Sequence, residues 1–205
     1  SFSGNPISEL REKNILAHIN RRVIHTMIDV SLGVDDLDKI KTDFEFSISI
    51  IRNLSLNVER NKIIIKAICN ELEQGNPCLV FSCSVEHSRL LSAALSYYGY
   101  NSSYIDCKMR KGSRKRVVEG FRSGKYDVLF NYGVLSTGFD APRIRTIIIT
   151  RPTTSIVLYS QMVGRGLRGP LMGGGENCNL IDIKDNFLNF GGAEEVYAFF
   201  DDYWK

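Results

Sequence analysis

The chain has 205 residues and a formal net charge of +3; 43% of its residues are hydrophobic and 24% are charged. This composition is typical of a globular domain large enough to bury its own core, and it excludes collagen, long coiled coils and intrinsic disorder. No apolar run approaches the roughly 20 residues that a membrane-spanning helix needs. The sequence therefore predicts no membrane partner.

The cysteines also carry information about the class of protein. There are five of them, an odd number, and no two form a Cys-x-x-Cys pair. Disulfide frameworks use paired cysteines, and structural zinc sites use closely spaced ones. We therefore predict reduced thiols, no metal site and a cytoplasmic location.

The predicted elements begin with an irregular N-terminal part. In this part, residues 9–20 and 37–52 are expected to be helical, and residues 22–28 are expected to be extended. A regular helix follows over residues 58–74, and Gly75 and Pro77 are its expected stop signals.

From residue 77 onward, short β-branched runs alternate with helical stretches. The predicted strands are 78–83, 102–106, 127–131, 146–150 and 177–183, and the predicted helices between them are 85–98, 113–123 and 155–163. Such alternation indicates right-handed βαβ units and a parallel sheet. The predicted fold class is α/β.

Basic residues are concentrated in two segments. Residues 108–125 hold eight Lys and Arg residues and one acid, and residues 139–168 hold five arginines and one acid. A solvated helix face explains the first segment as well as a ligand does. Segregation of charge over both segments favours a phosphate-rich ligand.

The strongest motif is the sequence QMVGRGLRG at residues 161–169, which sets Arg165 and Arg168 among three glycines. Glycine weakens a helix, so helix propensity does not explain this pattern. The guanidinium fork suits phosphate oxygens, and arginines neutralise charge during phosphoryl transfer. Ion pairs with nearby carboxylates are the simpler alternative.

The same glycines satisfy the Gly-x-Gly-x-x-Gly pattern of dinucleotide-binding domains. That motif should follow a strand and open a helix, whereas here it follows a predicted helix and runs into Pro170. The chain also contains no Walker A pattern and no DEAD or DEAH string. By itself it therefore lacks a cradle for a nucleoside triphosphate and magnesium.

A second loop, after the predicted strand 127–131, contains Gly138 and Asp140. Open parallel sheets bind ligands beyond the carboxyl ends of their strands. Gly138 would allow close approach of a ligand to the backbone, and Asp140 offers a carboxylate to a sugar hydroxyl or a metal. An ordinary turn is the simpler interpretation of this short pattern.

Four segments, taken in order, resemble the C-terminal RecA-like lobe of superfamily 2 helicases. The resemblance is to the DEAD/DEAH-like type, which includes restriction motors and repair translocases. The segments are CLVFSCSVEHS (78–88), KGSRKRVVEGFRSGKYDVLF (111–130), NYGVLSTGFDAP (131–142) and YSQMVGRGLRG (159–169).

The resemblance implies a RecA-like three-layer sandwich with a mainly parallel central sheet over residues 58–190. It implies that residues 1–57 connect this domain to a missing first motor lobe. Residues 191–205 then form a C-terminal tail, which we expect to be a docked helix.

The resemblance also implies site residues. Arg165 and Arg168 would reach the γ-phosphate of ATP, Gln161 would sense the nucleotide, and Asp140, with Gly138, would contact the ribose. The positions that line a nucleic-acid backbone in the family are Ser82, Ser84, Arg114, Asn131 and Thr137. Tyr132 departs from the family, which often has Thr at this position.

The resulting hypothesis is the second motor lobe of an ATP-dependent helicase or translocase. ATP and Mg²⁺ would be bound mainly by the missing lobe, so the chain alone is expected to be inactive. The expected partners are nucleic acid, with DNA favoured, and the first lobe of the same polypeptide. The alternatives are a nucleic-acid-binding module without ATPase function and a dinucleotide-binding domain.

Overall fold

The computed structural model describes residues 6–134 and 143–188. The elements before the first central strand are α1 (Pro6–Glu12), β1 (His18–Ser31), α2 (Val34–Asp43), α3 (Ile48–Leu56) and α4 (Val58–Glu73). The elements that follow are β2 (Cys78–Phe81), α5 (Val85–Tyr97), β3 (Ser102–Asp106), α6 (Lys111–Arg122), β4 (Val128–Tyr132), β5 (Thr146–Ile149), α7 (Ile156–Val163) and β6 (Asn177–Leu188). A single 3-10 turn, Pro170–Met172, lies between α7 and β6.

The six strands form one sheet in the order β1-β6-β5-β2-β4-β3, and every neighbouring pair is parallel. The central strands β2 and β5 are buried along their whole length, which explains their unbroken apolar sequences. The sheet confirms the predicted α/β class.

Helices cover both faces of the sheet and enclose two cores. On one face, Ile64 and Ile68 of α4 and Leu91 of α5 pack on β2, β4, β5 and β6. On the other face, Phe121 of α6 and Tyr159 of α7 pack on the opposite side of the same strands. The molecule therefore has the three layers expected of the predicted sandwich.

A third, smaller cluster joins α2 and α3 to the end of β6. Ile40, Ile50 and Leu54 are buried together there, and the ring of Phe46 stacks on that of Phe187 with 4.6 Å between centroids. This cluster holds α3 beside the carboxyl ends of the strands.

The N-terminal part differs from its prediction. The helix expected over residues 9–20 ends at Glu12, because Asn14 takes a left-handed conformation with φ of 56° and a strand follows. The helix expected over 37–52 is two helices, separated by Phe44 with φ of 55°. The extended segment 22–28 is confirmed, as part of the longer β1.

Strand β1 also bears on the expected connecting segment 1–57. It pairs with β6 from His18↔Asn177 to Ser31↔Leu188, so this segment supplies an edge strand to the sheet as well as any connection to another lobe. The physical reason is that β6 would otherwise expose a long unpaired edge. The division at residue 58 stays a prediction.

None of the described helices combines the length and the hydrophobicity that would let it cross a bilayer. Within the same ranges, no group of three or more His, Cys, Asp and Glu residues has the arrangement of a metal site. The five cysteines are free thiols, and Cys107 alone among them is exposed.

Candidate functional site

Three of the predicted nucleic-acid-binding residues meet at the carboxyl ends of adjacent strands. The backbone N–H of Ser82 donates to the carbonyl of Asn131 at 3.0 Å, which extends the pairing of β2 with β4. Ser84 follows two residues later and caps α5, its hydroxyl accepting from the His87 N–H at 3.0 Å. The sequence motifs therefore converge at one edge of the sheet.

The side chains of these residues differ in how far they reach the surface. Ser82 and Asn131 are only 1% and 2% exposed, and Asn131 Oδ1 accepts from the Val134 N–H at 3.2 Å. Ser84 is partly exposed. For Ser82 and Asn131, burial favours shaping the loop over direct contact with a ligand.

Arg114 is also partly exposed, and it belongs to the same edge. Its Nη2 donates to the carbonyls of Asp106 and Met109, at 3.3 and 3.4 Å. These bonds stabilise the turn between β3 and α6, where the first basic segment begins. The predicted contact of Arg114 with nucleic acid stays a prediction.

A groove of about 700 Å³ opens at this edge, and we call it the edge groove. Its floor is formed by the residues that follow β2, β3 and β5 and by the end of β4, and its wall is formed by α3 and the turn before it. The residues used below are Arg52, Ser84, Lys108, Tyr132 and Arg151.

Two of these residues interact across the groove floor. The Arg151 guanidinium lies over the ring of Tyr132, 5.6 Å from its centroid, and its Nη2 is 3.6 Å from Glu45. Arg52 and Lys108 are exposed along the same groove. The charged lining residues are three bases, Arg52, Lys108 and Arg151, and two acids, Glu45 and Glu86. Basic side chains beside an aromatic ring are the groups that bind single-stranded nucleic acid, and the two acids lower the net charge of the groove to +1.

The loops that form the floor are fixed from below by a buried charge. Arg60 of α4 is 0% exposed, and its Nε donates to both oxygens of Asp185 at 2.9 and 3.1 Å. Its Nη2 donates to the carbonyl of Thr150 at 2.5 Å, and its Nη1 donates to Cys83 Sγ at 3.8 Å. One helix thereby holds the loops after β2 and β5 to the end of β6.

His87 completes this support. Its Nδ1 accepts from the Cys83 N–H at 3.2 Å, so Nε2 carries the proton and donates to Asn61 Oδ1 at 2.9 Å. Burial, and then the positive charge of Arg60, lower the pKa of His87 to about 3. His87 is therefore a neutral structural residue.

The arginine motif lies at the other end of the strands, at the edge of the sheet formed by their amino ends. Gly166 lies against Ile147 of β5 and Cys178 of β6, near the amino ends of both strands. Arg168 forms an antiparallel bridge with Leu16, which immediately precedes β1. Arg165 and Arg168 therefore do not share an edge with Ser84 and Asn131.

A short N-terminal segment, Asn14 to Ala17, contacts the arginine motif. We call this segment the strap, and we call residues 164–169 the arginine loop. The Ala17 N–H donates to Leu167 O at 2.8 Å, and the Gly169 N–H donates to Ile15 O at 2.9 Å. A Cβ at Gly169 would collide with backbone atoms of Asn14 and Ile15. This close approach explains why the motif needs a glycine at that position.

Helix α7, which leads into the loop, is anchored by a second buried carboxylate. The Tyr159 hydroxyl donates to Asp182 at 2.9 Å, and Arg21 Nε pairs with the same carboxylate at 2.8 Å. On the next turn of α7, Gln161 is exposed, and Arg165 and Arg168 after it are partly exposed. Gln161, Arg165 and Arg168, three of the residues predicted for the nucleotide site, therefore lie on one continuous segment formed by α7 and the loop after it.

The remaining predicted site residues, Thr137, Gly138 and Asp140, lie outside the described residues, as does the expected C-terminal helix. The dinucleotide alternative is excluded by the geometry around Gly164, Gly166 and Gly169. These glycines follow helix α7, and only the three-residue 3-10 turn lies between them and β6. A dinucleotide fingerprint requires a strand before it and a helix after it.

Solved structures share this fold. The C-terminal part of the Fun30 ATPase domain superposes with a TM-score of 0.57, at 15% identity, over 69% of this chain and 46% of that chain. A DEAD box protein of Methanococcus jannaschii gives a TM-score of 0.53 at 18% identity, over 68% and 36% of the two chains. At such identities the likeness shows the fold alone, which is the predicted RecA-like sandwich.

Sequence comparison identifies the family. The model of the helicase conserved C-terminal domain matches residues 59–169, which is more than half of the chain. The chain belongs to this family, and the predicted resemblance to the C-terminal lobe of superfamily 2 helicases is confirmed.

Curated relatives are helicases or phage proteins of greater length. The putative ATP-dependent helicase IRC3 of Saccharomyces cerevisiae is 30% identical over 156 residues, covering 75% of this chain and 22% of the relative. A 51.5 kDa protein of Lactococcus phage (isolate 7-9) is 33% identical over 133 residues, covering 64% and 28%. The chain thus spans about a quarter of the length of these relatives.

Proposed function

We propose that this chain is the second motor lobe of an ATP-driven nucleic-acid translocase or helicase. It would supply Arg165 and Arg168 to an ATP site between two lobes, and the edge groove to a nucleic-acid track. The observation that carries the proposal is the arginine loop, held between the strap and the amino ends of β5 and β6 without any phosphate cradle in the same chain.

The chemistry follows from the properties of arginine. In phosphoryl transfer, negative charge spreads over the oxygens of the γ-phosphate, and guanidinium groups held in place stabilise it. Arg165 and Arg168 are suited to this role because their loop is anchored on both sides, which reduces the cost of ordering it. Gln161, exposed on α7, would face the same nucleotide.

The contacts with the triphosphate and Mg²⁺ would belong to the first lobe, which this chain does not supply. Gly138 and Asp140 would approach the ribose. Hydrolysis would then open and close the cleft between the lobes and step the protein along a strand. The chain alone is expected to hydrolyse no ATP.

The test uses a protein that contains both lobes. Replacing Arg168 by Ala should reduce nucleic-acid-stimulated ATP hydrolysis by about 100-fold or more, because one charge-stabilising donor is lost. Nucleic-acid binding should be retained. Arg89→Ala is the control, since Arg89 is an exposed arginine on α5 that lies over the Tyr104 ring. Wild-type turnover by Arg168→Ala would refute the proposal.

The nucleic-acid contact is proposed for the exposed part of the edge groove. Arg52, Lys108 and Arg151 would neutralise backbone phosphates, and Tyr132 would offer a ring for base stacking. Ser84 and Arg114 lie at the same edge, and Thr137, which follows β4 in the sequence, is proposed as a further contact. Ser82 and Asn131 would act by holding these groups in place.

DNA is the favoured substrate of this proposal, while some relatives with 25–29% identity carry names of ATP-dependent RNA helicases. The assay therefore compares stimulation of ATP hydrolysis by single-stranded DNA and by RNA of the same sequence. Stronger stimulation by DNA is expected. Stimulation by RNA alone would overturn the preference without affecting the motor-lobe assignment.

A further inference from the structure

A second groove lies on the outer side of the helical layer, and we call it the outer groove; it adjoins the edge groove at Leu56, which lines both. It has a volume of about 640 Å³ and runs between α4 and α5. Residues of α4 line it at intervals of three to four positions from Val58 to Glu73, a length of about 22 Å. The residues used below are Val58, Lys62, Lys66, Leu90, Ala94 and Tyr98.

Several apolar side chains of the outer groove are exposed. Val58 is 65% exposed, Tyr98 is 62% exposed and Leu90 is 40% exposed. An apolar face of another segment could cover them and remove them from water. The charged lining residues are Lys62, Lys66 and Glu73, and Lys62 pairs with Glu59 at 2.8 Å. Lys66, exposed midway along the groove, is therefore the cation best placed to receive an acidic group of an occupant.

The sequence after β6 has the properties of such an occupant. In a helix with 3.6 residues per turn, residues 194–205 would separate completely into two faces. One face would carry Val196, Tyr197, Phe199, Phe200, Tyr203 and Trp204. The other would carry Glu194, Glu195, Asp201, Asp202 and Lys205. An aromatic face this wide needs a partner surface.

Residues 189–193, which connect β6 to this segment, are long enough and begin close enough to reach the outer groove. Strand β6 ends at Leu188, and the preceding Phe187 packs in the same cluster as Leu54 of α3. Leu56, two residues further along α3, already lines the outer groove. Residues 189–193 can span up to about 17 Å when extended, and a helix over 194–205 is about 18 Å long, shorter than the groove.

We propose that residues 194–205 form an amphipathic helix whose aromatic face docks in the outer groove between α4 and α5. The acidic residues at its edges face Lys62 and Lys66. Gly191 and Gly192 provide the turn that redirects the chain from β6 to the groove. The docked helix completes the hydrophobic layer on this side of the sheet and belongs to the same chain.

The chain contains a single tryptophan, Trp204, so its fluorescence reports on this segment directly. In the whole chain, Trp204 should emit at shorter wavelength than in a free peptide of residues 189–205. Its quenching by acrylamide should be several-fold weaker. Equal emission and quenching in chain and peptide would overturn the proposal.

A pair of variants locates the contact. Leu90→Asp places a charge in the outer groove and should shift Trp204 emission toward that of the peptide. Leu171→Asp is the matched control, because Leu171 is 70% exposed on the 3-10 turn at another part of the surface. Circular dichroism checks that both variants fold. Shielding of Trp204 that survives Leu90→Asp would place the helix elsewhere and refute the proposal.

A charge variant tests the pairing with the lysines, and a dilution series tests whether the docked helix belongs to the same chain. Lys66→Glu should increase quenching at low salt, while Lys115→Glu, an exposed lysine of α6, should not. Equal effects of the two reversals would contradict the charge pairing. Shielding should also be independent of protein concentration, and loss of shielding on dilution would assign the groove to the tail of a second copy instead.

Discussion

Arg60 carries its charge in the interior, and the edge groove depends on it. Removing a guanidinium from water is costly, and only close partners offset that cost. Asp185 is the main one, and it also accepts from the Thr26 hydroxyl at 2.7 Å. The pair therefore links α4, β1 and the end of β6 below the loops that form the groove floor.

The first prediction concerns this pair. Asp185→Ala should lower the free energy of unfolding by about 3–5 kcal/mol, because it leaves the Arg60 charge buried without its carboxylate. Glu59→Ala on the same helix removes an exposed partner of Lys62 and should cost less than about 1 kcal/mol. Urea denaturation measures both. Similar losses for the two variants would show that the buried pair is not a structural anchor.

The second prediction follows from His87, whose pKa is lowered to about 3 in the folded chain. The unfolded chain takes up this proton near pH 6.5, so stability present above pH 6.5 decreases as the pH falls from there toward 3. Between pH 6.5 and 5, this amounts to at most about 2 kcal/mol.

His87→Gln removes the titrating group and keeps a donor and an acceptor. Its unfolding free energy should decline less than that of the wild type between pH 7 and 5, as measured by urea denaturation at each pH. Parallel pH profiles of the two proteins would argue that folding does not lower the pKa of His87.

At the scale of elements, the strap and the arginine loop form one unit. The strap lies immediately before β1, and the loop precedes β6 with the 3-10 turn Pro170–Met172 between them. Three backbone hydrogen bonds join residues 14–17 to residues 167–171, so we expect the two segments to keep a fixed relative position.

The third prediction tests the close approach at Gly169. Its φ of −80° is open to any residue, so Gly169→Ala is opposed by lack of space and not by backbone strain. The variant should lose about 1–3 kcal/mol of stability and should displace the loop. Gly112→Ala, at an open position in α6, should be neutral or stabilise by up to about 1 kcal/mol. Equal stability of Gly169→Ala and the wild type would contradict the packing of loop on strap.

Elements also show where sequence reasoning succeeded and where it failed. Strands β2, β4 and β5 were predictable because they are buried on both faces and read as continuous apolar runs. The break between α2 and α3 carried a local signal, since Ser47 caps α3 by accepting from the Ile50 N–H. The first residues of β1, before residue 22, carried none, because their pairing with β6 joins residues far apart in the sequence.

For the molecule as a whole, the motifs supplied candidate site residues but not their arrangement. The order of the motifs indicated a RecA-like lobe, and the family comparison confirms it. Their separation onto two edges follows from the parallel β5–α7–β6 unit, in which the chain after α7 returns to the amino ends of the strands. The contact of this segment with residues 14–17 is the part that no local pattern encodes. Arg52 and Tyr132 were likewise missed as groove residues, because α3 reaches the strand ends only through its small core with Phe187.

The central claim is that this lobe uses two separate surfaces, the arginine loop for ATP and the edge groove for nucleic acid. The direct measurement is ATP turnover by the two-lobed protein as a function of nucleic-acid concentration, for Arg168→Ala and for Arg151→Ala. Arg168→Ala should lose maximal turnover at saturating nucleic acid. Arg151→Ala should keep that maximum and need more nucleic acid to reach half of it. The claim would be contradicted if both variants changed the same quantity, either maximal turnover or the nucleic-acid concentration at half of it. It would also be contradicted if neither variant changed either quantity.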